Sequence, residues 1–337
     1  MKKSTVSMGV TAFVLVLAFL LPSLGVRSYY LHIAILSLLN ALLAMGVNFI
    51  AGYAGQLSLA QAAFFGIGSY AASLAVLNLH VSFWLALPIG VLASVLVAVV
   101  FGLPALRLKG PYFVISTLGF GEIVRLVFLN WETLTRGPNG LAIEGPVPLS
   151  LGFTVWELDT KAGFYYLTLL ALVVALFFCV NMVHSRVGRA LRAIHTDQIA
   201  AEAMGVNLTF YKVFAFAWGA ALSGLAGGLY AGYVRFISPD TFTIGESVNI
   251  LIMAVLGGMG TISGPVVGAV VITFLLETMR MFADYRMVIY GLLMFAMILY
   301  MPEGIAGWAA DKWRGRRVDP AEDKLACETA KTGWKEA

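Results

Sequence analysis

Apolar runs separated by short polar segments follow one another along most of this chain. A helix needs about 20 mainly apolar residues to cross a bilayer, and most of these runs approach that length. The breaks between them place ten candidate spans at residues 8–25, 31–50, 61–79, 83–106, 112–130, 163–183, 210–234, 245–258, 265–279 and 287–301. The pattern predicts an all-α, polytopic integral membrane protein with about ten transmembrane helices. The eighth run is short, which leaves open whether it crosses the membrane or re-enters.

Composition supports the same class. The chain of 337 residues is 60% hydrophobic and 12% charged, with a mean hydropathy of +0.88. Ordinary soluble domains are about 45–50% apolar and about 25% charged, so a soluble domain is excluded. The first run, residues 8–25, fits either a signal peptide or a membrane helix. We predict a helix, because the run is long for a signal core and no Ala-x-Ala site follows it before Arg27.

The basic residues predict the orientation of the chain. Lys and Arg concentrate in the cytoplasmic segments of membrane proteins. With the amino terminus inside and the sides alternating, fifteen basic residues fall inside, six outside and Arg125 within a helix, which accounts for all 22. We therefore expect both termini in the cytoplasm, a membrane domain over residues 1–310 and a polar cytoplasmic tail over residues 311–337. This topology explains the net charge of +4 without any nucleic-acid partner.

One acid and one base share the fifth apolar run. Glu122 and Arg125 lie three residues apart, so both fall on one helix face and can form an ion pair. Charged side chains are costly inside a bilayer unless they pair or line a polar path. The pair therefore fits either of two roles: a structural lock between helices, or part of a path across the membrane.

Glycine and amide residues interrupt the apolar pattern at two places, residues 52–69 and residues 257–268. Non-helical backbone at membrane depth is tolerated only inside protein or beside water, and paired interruptions often flank a transport path. Gln56, Ser58 and Gln61 in the first interruption are candidates to hydrogen-bond a polar solute. The alternative is a tight turn with close packing of small residues.

A charged segment separates the sixth and seventh runs. In residues 184–205, apolar side chains share one helix face while basic ones recur at three-residue spacing on another, as shown by Val187, Leu191 and Ile194 against Arg186, Arg189 and Arg192. This pattern predicts an amphipathic helix. Three roles fit it: a helix lying on anionic lipid, an element that docks a partner, or a cap on the helix bundle.

The chain carries no motif for catalysis. It has no Gly-x-x-x-x-Gly-Lys-Ser/Thr phosphate loop, and its four histidines show no metal-ligand or Cys-His spacing. We predict that the chain is not an enzyme, holds no metal or cofactor, and does not itself bind ATP in that way.

Three sequence blocks together resemble the permease subunits of the branched-chain amino-acid ABC importers. The resemblance runs from about residue 40 to residue 277, and the order and spacing of its blocks are specific. These blocks are residues 48–68, residues 106–125 followed by Arg136-Gly-Pro-Asn-Gly140, and residues 185–205. The longer outer loop with Gly-Pro-Asn-Gly is similar to that of one subunit of the permease pair. Two departures are Ala60, where relatives often carry glycine, and Met204, which follows Glu202-Ala203 in place of a second alanine.

The resemblance implies a set of partners in the bacterial cytoplasmic (inner) membrane. They are a second homologous permease subunit, two cytoplasmic ATP-binding subunits that bind the ATP, and an extracytoplasmic solute-binding protein. Residues 184–209 would be the coupling segment that docks an ATPase. The candidate ATPase-coupling residues are Arg186, Arg189, Arg192, Glu202 and Gly205.

The same resemblance implies the substrate class. Branched-chain or other hydrophobic amino acids come first, and urea or short amides are the alternative, since similar permeases carry either. The translocation-path candidates are Gln56, Ser58, Gln61, Glu122, Arg125 and Asn139. A different class, a self-contained secondary transporter or channel, would use the glycine interruptions and the charge pair for gradient-driven transport by this chain alone.

Overall fold

The structure is a computed structural model that describes residues 28–108, 110–143 and 160–279, together with residue 291. A π-helical turn, Phe49–Tyr53, extends the first helix, and 3-10 turns lie at Gly137–Asn139 and Pro239–Thr241. The α-helices, numbered α1 to α11 in chain order, are Ser28–Asn48, Gln61–Leu79, Phe83–Ala105, Pro111–Asn130, Glu132–Thr135, Lys161–His184, Arg186–Thr196, Gln198–Ala203, Leu208–Val234, Ile244–Gly258 and Gly264–Thr278.

The observed helices confirm a polytopic, all-α membrane protein. Seven helical segments of the described chain are long and apolar enough to cross a membrane, and they correspond to the second to eighth predicted spans. The eighth, which the sequence left open, reaches 20 residues because the turn at Pro239 precedes α10. The ninth corresponds to α11, which is shorter at 15 residues. The predicted first span, the tail and all of the tenth span except residue 291 lie outside the described residues, so ten helices and the positions of the termini stay predictions.

Glycines let the central helices approach one another closely. Helix α9 packs against α2 and α3, and α1 packs against α9 and α11. A Cβ added at Gly68 of α2 would lie 2.5 Å from the Cα of Gly224 in α9, and one at Gly90 of α3 would lie 2.7 Å from the carbonyl oxygen of Gly68. The backbones of the three helices are therefore in direct contact where they cross. Because the hydrophobic effect does little to hold helices together in lipid, such close van der Waals packing stabilises the bundle.

A two-stranded pair links the far end of α4 to the far end of α9. Strands β1 (Leu141–Ala142) and β2 (Phe236–Ile237) pair antiparallel. The amide of Ile143 extends the ladder by donating to the carbonyl oxygen of Arg235 at 2.9 Å. By the predicted topology this end faces outward, and the pairing anchors the loop that follows α4 to the helix bundle.

Candidate functional site

The first glycine interruption is an ordered, non-helical connection. The π-helical turn ends at Tyr53, Gly55 adopts a positive φ of 68°, and α2 begins at Gln61. The amide of Gln56 donates back to the carbonyl oxygen of Ile50 at 3.1 Å. We call residues 54–60 the first break. The second interruption is narrower than predicted, since helix covers all of residues 257–268 except residues 259–263, which we call the second break.

Asn48, at the end of α1, binds the second break. Its side chain is 4% exposed, its Oδ1 accepts a hydrogen bond from the amide of Gly260 at 2.8 Å, and its Nδ2 donates to the carbonyl oxygen of Thr261 at 2.7 Å. The sequence pattern suggested that the two interruptions belong together. A Cβ added at Gly52, in the first interruption, would lie 2.5 Å from the amide nitrogen of Gly260, so the two interruptions are neighbours. Sequence reasoning missed Asn48 as the link, because a lone amide at the end of an apolar run carries no signal of its partner 212 residues away.

Replacing Asn48 by leucine should weaken the contact between α1 and the second break. The substitution removes two hydrogen bonds, each of which contributes about 0.5–1.5 kcal/mol, so we expect a loss of about 1–3 kcal/mol in the free energy of unfolding. Thermal unfolding of the purified protein measures it. Asn40→Leu is the matched control, because Asn40 lies in the same helix and donates one bond, to Thr273 Oγ1 at 3.0 Å. Equal losses in both variants would contradict a special role for Asn48.

Three further elements meet the chain around the first break. The amide of Leu59 donates to Thr117 Oγ1 of α4 at 3.1 Å, and the amide of Ala62 donates to Ser247 Oγ of α10 at 3.0 Å. On the other side, His195 Nδ1 of the charged segment lies 3.0 Å from the carbonyl oxygen of Gly52, to which it can donate. Residues in and beside the first break are therefore in direct contact with α4, α10 and the charged segment.

The three polar candidates of the first interruption are buried in the structure. Gln56 and Ser58 are 8% and 2% exposed, and Ser58 Oγ accepts from the amide of Ala60 at 3.3 Å. Gln61 is fully buried, and its Nε2 donates to the carbonyl oxygen of Gly219 at 3.2 Å and to Ser223 Oγ. Ser58 and Gln61 therefore have a structural role at the start of α2. A role in the path for any of the three stays a prediction.

Glu122 and Arg125 form the predicted ion pair. Arg125 Nε lies 3.0 Å and 3.1 Å from the two carboxylate oxygens of Glu122, and Nη2 lies 2.5 Å from Oε1. Glu122 is the twelfth residue of a 20-residue helix, about 16 Å from its start, so the pair lies near the middle of a helix that is long enough to cross a membrane. It is the one ion pair within the part of the chain that the structure describes.

The face of α4 that carries this pair is open. The side chains of Arg125 and Glu122 are 23% and 34% exposed, and a Cβ added at Gly119, one turn earlier, would meet nothing within 4 Å. The buried residues of α4 are Phe113, Thr117 and Phe128. Because charge facing lipid is costly, a partly exposed ion pair midway along a membrane-spanning helix indicates a face turned toward water or another protein.

Asn139 lies apart from the other path candidates. It belongs to the turn beyond the end of α4, whereas the first break contacts α4 at Thr117, about 20 Å earlier along the helix. Asn139 lines a cavity of about 540 Å³ together with Glu132, Arg136, Pro138, Gly140, Ala142 and Phe236. The structure thus does not bring all six path candidates into one site.

The charged segment is amphipathic as predicted, but the expected single helix is wrong. Asp197 adopts an extended backbone (φ −155°) between α7 and α8, and its carboxylate accepts from the amides of Ile199 and Ala200 at 2.8 Å and 3.1 Å. An aspartate that caps a new helix start competes with helix continuation, which explains the break. Leu191 and Ile194 are fully buried, which confirms the predicted inner face.

The predicted coupling residues differ in their exposure and in the hydrogen bonds that their side chains make. Arg192 donates to the carbonyl oxygens of Gly188 and Val183 at 3.2 Å and 2.9 Å, so part of its role is to hold α7 against the end of α6. Arg189 makes one long contact, 3.5 Å, with the carbonyl oxygen of His184. Arg186 and Glu202 are exposed, and Gly205 adopts a φ of 83° with open space around it.

Two apolar side chains at the tip of this segment were missed. Ile199 and Met204 are 81% and 84% exposed, more than any other large hydrophobic residue in the described chain. They lie in and just after α8, outside the seven spans, so lipid contact along a membrane helix does not account for them. The sequence signal that could have revealed them is the presence of apolar residues in the second half of the charged segment, which was identified by its basic residues. These two exposed apolar side chains are available for contact with a partner.

Comparison with known proteins places the chain in a family. A family model described as branched-chain amino acid transport system / permease component matches residues 29–299. The high-affinity branched-chain amino acid transport system permease proteins LivM of Salmonella typhimurium and of Escherichia coli are each 36% identical over 294 residues, which cover 81% of this chain and 69% of theirs. LivH of Escherichia coli is 27% identical over 288 residues, which cover 79% of this chain and 91% of LivH. No solved structure matches the chain. The chain therefore belongs to the family of permease components of branched-chain amino acid transport systems.

Proposed function

We propose that this chain is a membrane-spanning permease subunit of an ATP-driven importer for branched-chain or other hydrophobic amino acids in a bacterial cytoplasmic membrane. Its similarity to both LivM and LivH supports a second homologous permease as its partner. The observation that carries the proposal is the contact between His195 of the charged segment and Gly52, next to the first break. It joins a surface suited to docking directly to the irregular backbone at which the membrane helices meet.

In this proposal, α7 and α8 are the coupling segment, and two cytoplasmic ATP-binding subunits dock on them. Ile199 and Met204 supply an apolar anchor at the tip, with Glu202 between them in the sequence. ATP binding would move the docked segment, and the buried face of α7 would carry that movement to the first break through His195. The free energy comes from the ATP that the partner subunits bind and hydrolyse, and differential contacts of two states with the ATPases couple it to this chain, which therefore needs no catalytic group of its own.

The proposed path runs along the open face of α4. Glu122 and Arg125 offer a carboxylate and a guanidinium side by side near mid-membrane, a combination complementary to the ammonium and carboxylate groups of an amino acid. Gly119 leaves room beside them. An extracytoplasmic solute-binding protein would deliver the substrate to the predicted outer end of this helix.

Reconstitution tests the proposal. Vesicles would hold this chain with its neighbouring permease, the two ATPases and the binding protein, and each component would be omitted in turn. We expect ATP-dependent uptake of labelled leucine that disappears when either the ATPases or the binding protein are left out. Uptake of urea instead would reassign the substrate, and gradient-driven uptake by this chain alone would overturn the importer proposal.

Neutralising the Glu122/Arg125 pair distinguishes a structural role from a role in the translocation path. Arg125→Gln leaves the Glu122 carboxylate uncompensated near mid-membrane, so we expect less assembled complex and at least a tenfold loss of leucine uptake. In the double variant Glu122→Gln/Arg125→Gln no charge is stranded, and we expect assembly to recover while uptake stays at least tenfold low. Uptake per assembled complex is the measurement. Full uptake by the double variant would show that the pair is only a structural lock.

A further inference from the structure

The cavity beyond α4 is lined by both charged and apolar residues. Glu132 and Arg136 line it from α5 and its cap, and Phe236 and Pro138 line it from β2 and the Gly-Pro-Asn-Gly turn. Phe236 is 47% exposed, so its ring is accessible to a ligand. We call this space the outer cavity. Its volume of about 540 Å³ falls in the range of roughly 300–1,000 Å³ that is typical of small-molecule sites.

The walls of the outer cavity are held in place. Thr135 Oγ1 lies 2.6 Å from the carbonyl oxygen of Phe128, which anchors α5 to α4. A Cβ added at Gly140 would lie 2.5 Å from the carbonyl oxygen of Ile237, so the turn packs directly on β2. Arg136 itself has a left-handed backbone, φ 59°, that ends α5 and fixes the direction in which its side chain leaves the chain. The cavity is thus built before any ligand arrives.

The two charges of the outer cavity do not neutralise each other. Glu132 and Arg136 are four residues apart, a spacing that commonly gives an ion pair, yet their side chains form no ion pair or hydrogen bond with any described residue. Glu122 and Arg125, three residues apart one helix earlier, do pair. The outer cavity is therefore lined by one acidic and one basic side chain that do not pair with each other, and by Asn139.

We propose that the outer cavity is a receiving site for an aliphatic amino acid as a zwitterion, occupied before the substrate passes to the Glu122/Arg125 pair. Arg136 would hold the α-carboxylate, since guanidinium and carboxylate match in bidentate geometry. Glu132 would hold the α-ammonium group, and Phe236 with Pro138 would cover the aliphatic side chain. This inference rests on the proposed importer function and adds to it a second substrate site on this chain.

Direct binding tests the receiving site without turnover. The assembled complex of both permeases and both ATPases, in nanodiscs and without binding protein, would be titrated with leucine, with 4-methylpentanoate, which lacks the ammonium group, and with 3-methylbutylamine, which lacks the carboxylate. Saturation-transfer NMR reads weak binding of each. We expect the wild-type complex to bind leucine at least tenfold more tightly than either analogue, because each analogue leaves one cavity charge unpaired.

Two variants should each erase one preference. Arg136→Gln should bind leucine and the amine within threefold of each other and still discriminate against the acid, and Glu132→Gln should do the reverse. Lys161→Gln and Asp240→Asn are matched controls that remove the same charges from residues that do not line this cavity. Both should keep the wild-type preferences.

Unchanged discrimination in both cavity variants would overturn the receiving site. If these variants also need a higher concentration of binding protein for half-maximal uptake, the cavity binds a side chain of that protein instead. The uptake assay separates these failures from a failure of the function, since a wild-type importer that carries leucine keeps its assignment even if the outer cavity binds nothing. A wild-type importer that carries no leucine would instead refute the importer proposal itself.

Discussion

Replacing Ile199 and Met204 together by glutamate should reduce ATP-driven leucine uptake at least fiftyfold. Both side chains are exposed at the tip of α7 and α8, where we propose that an ATPase docks. Buried apolar anchors contribute most of the binding energy of an interface, and a charge forced into such a pocket is left without a partner. The double variant should still insert and pair with the second permease, because neither side chain contributes to the core. Co-purification of the ATPases and uptake per assembled permease pair measure the two effects.

A matched substitution locates the effect. Leu79→Glu places the same charge on a side chain that is 67% exposed at the opposite end of the bundle. It should leave co-purification of the ATPases unchanged. If the Ile199/Met204 variant retains its ATPases and its uptake, α7 and α8 lie on lipid and do not dock a partner. Loss of ATPase binding in both variants would point to a general folding defect.

Adding one methyl group at Gly68 should destabilise the whole helix bundle. In Gly68→Ala the new Cβ would lie 2.5 Å from both the Cα and the carbonyl oxygen of Gly224, so backbone has to move at the crossing of α2 and α9. Overpacking a tight interior costs about 1–3 kcal/mol in typical cases, and rigid backbone on both sides argues for the upper end. We expect a clear drop in the midpoint of thermal unfolding and in the yield of monodisperse protein in detergent.

Gly119→Ala is the control for this effect. Gly119 also lies in the middle of a membrane-spanning helix, but its Cβ would meet nothing within 4 Å. Alanine is favoured over glycine in a helix by about 1 kcal/mol, so this variant should be as stable as the wild type or slightly more stable. Equal destabilisation of the two variants would mean that the substitutions act through helix flexibility and not through the crossing with α9.

Hydropathy located the helices well because the bilayer imposes one length and one composition on every span. The boundaries predicted for α1 to α4, for α6 and for α9 to α11 differ from the structure by only a few residues. The charged segment was recognised for the same reason, since Leu191 and Ile194 repeat with the period of a helix. Its interruption at Asp197 was not predicted, because a capping side chain and an ordinary polar residue of a helix surface look alike in sequence.

Sequence by itself determined the class of this protein, the order of its described spans and the pairing of Glu122 with Arg125, because each depends on residues close together in the chain. Only the tertiary structure decided which distant residues meet. Asn48 reaches the second break, His195 reaches Gly52, and Glu132 and Arg136 share a cavity with Phe236. Those contacts depend on how the helices cross, and the crossings depend on glycines. The local sequence does not show which residues pack against these glycines. A hydropathy pattern specifies which face of a helix is buried but not which helix covers it, so the docking surface and the outer cavity became visible only in the folded chain.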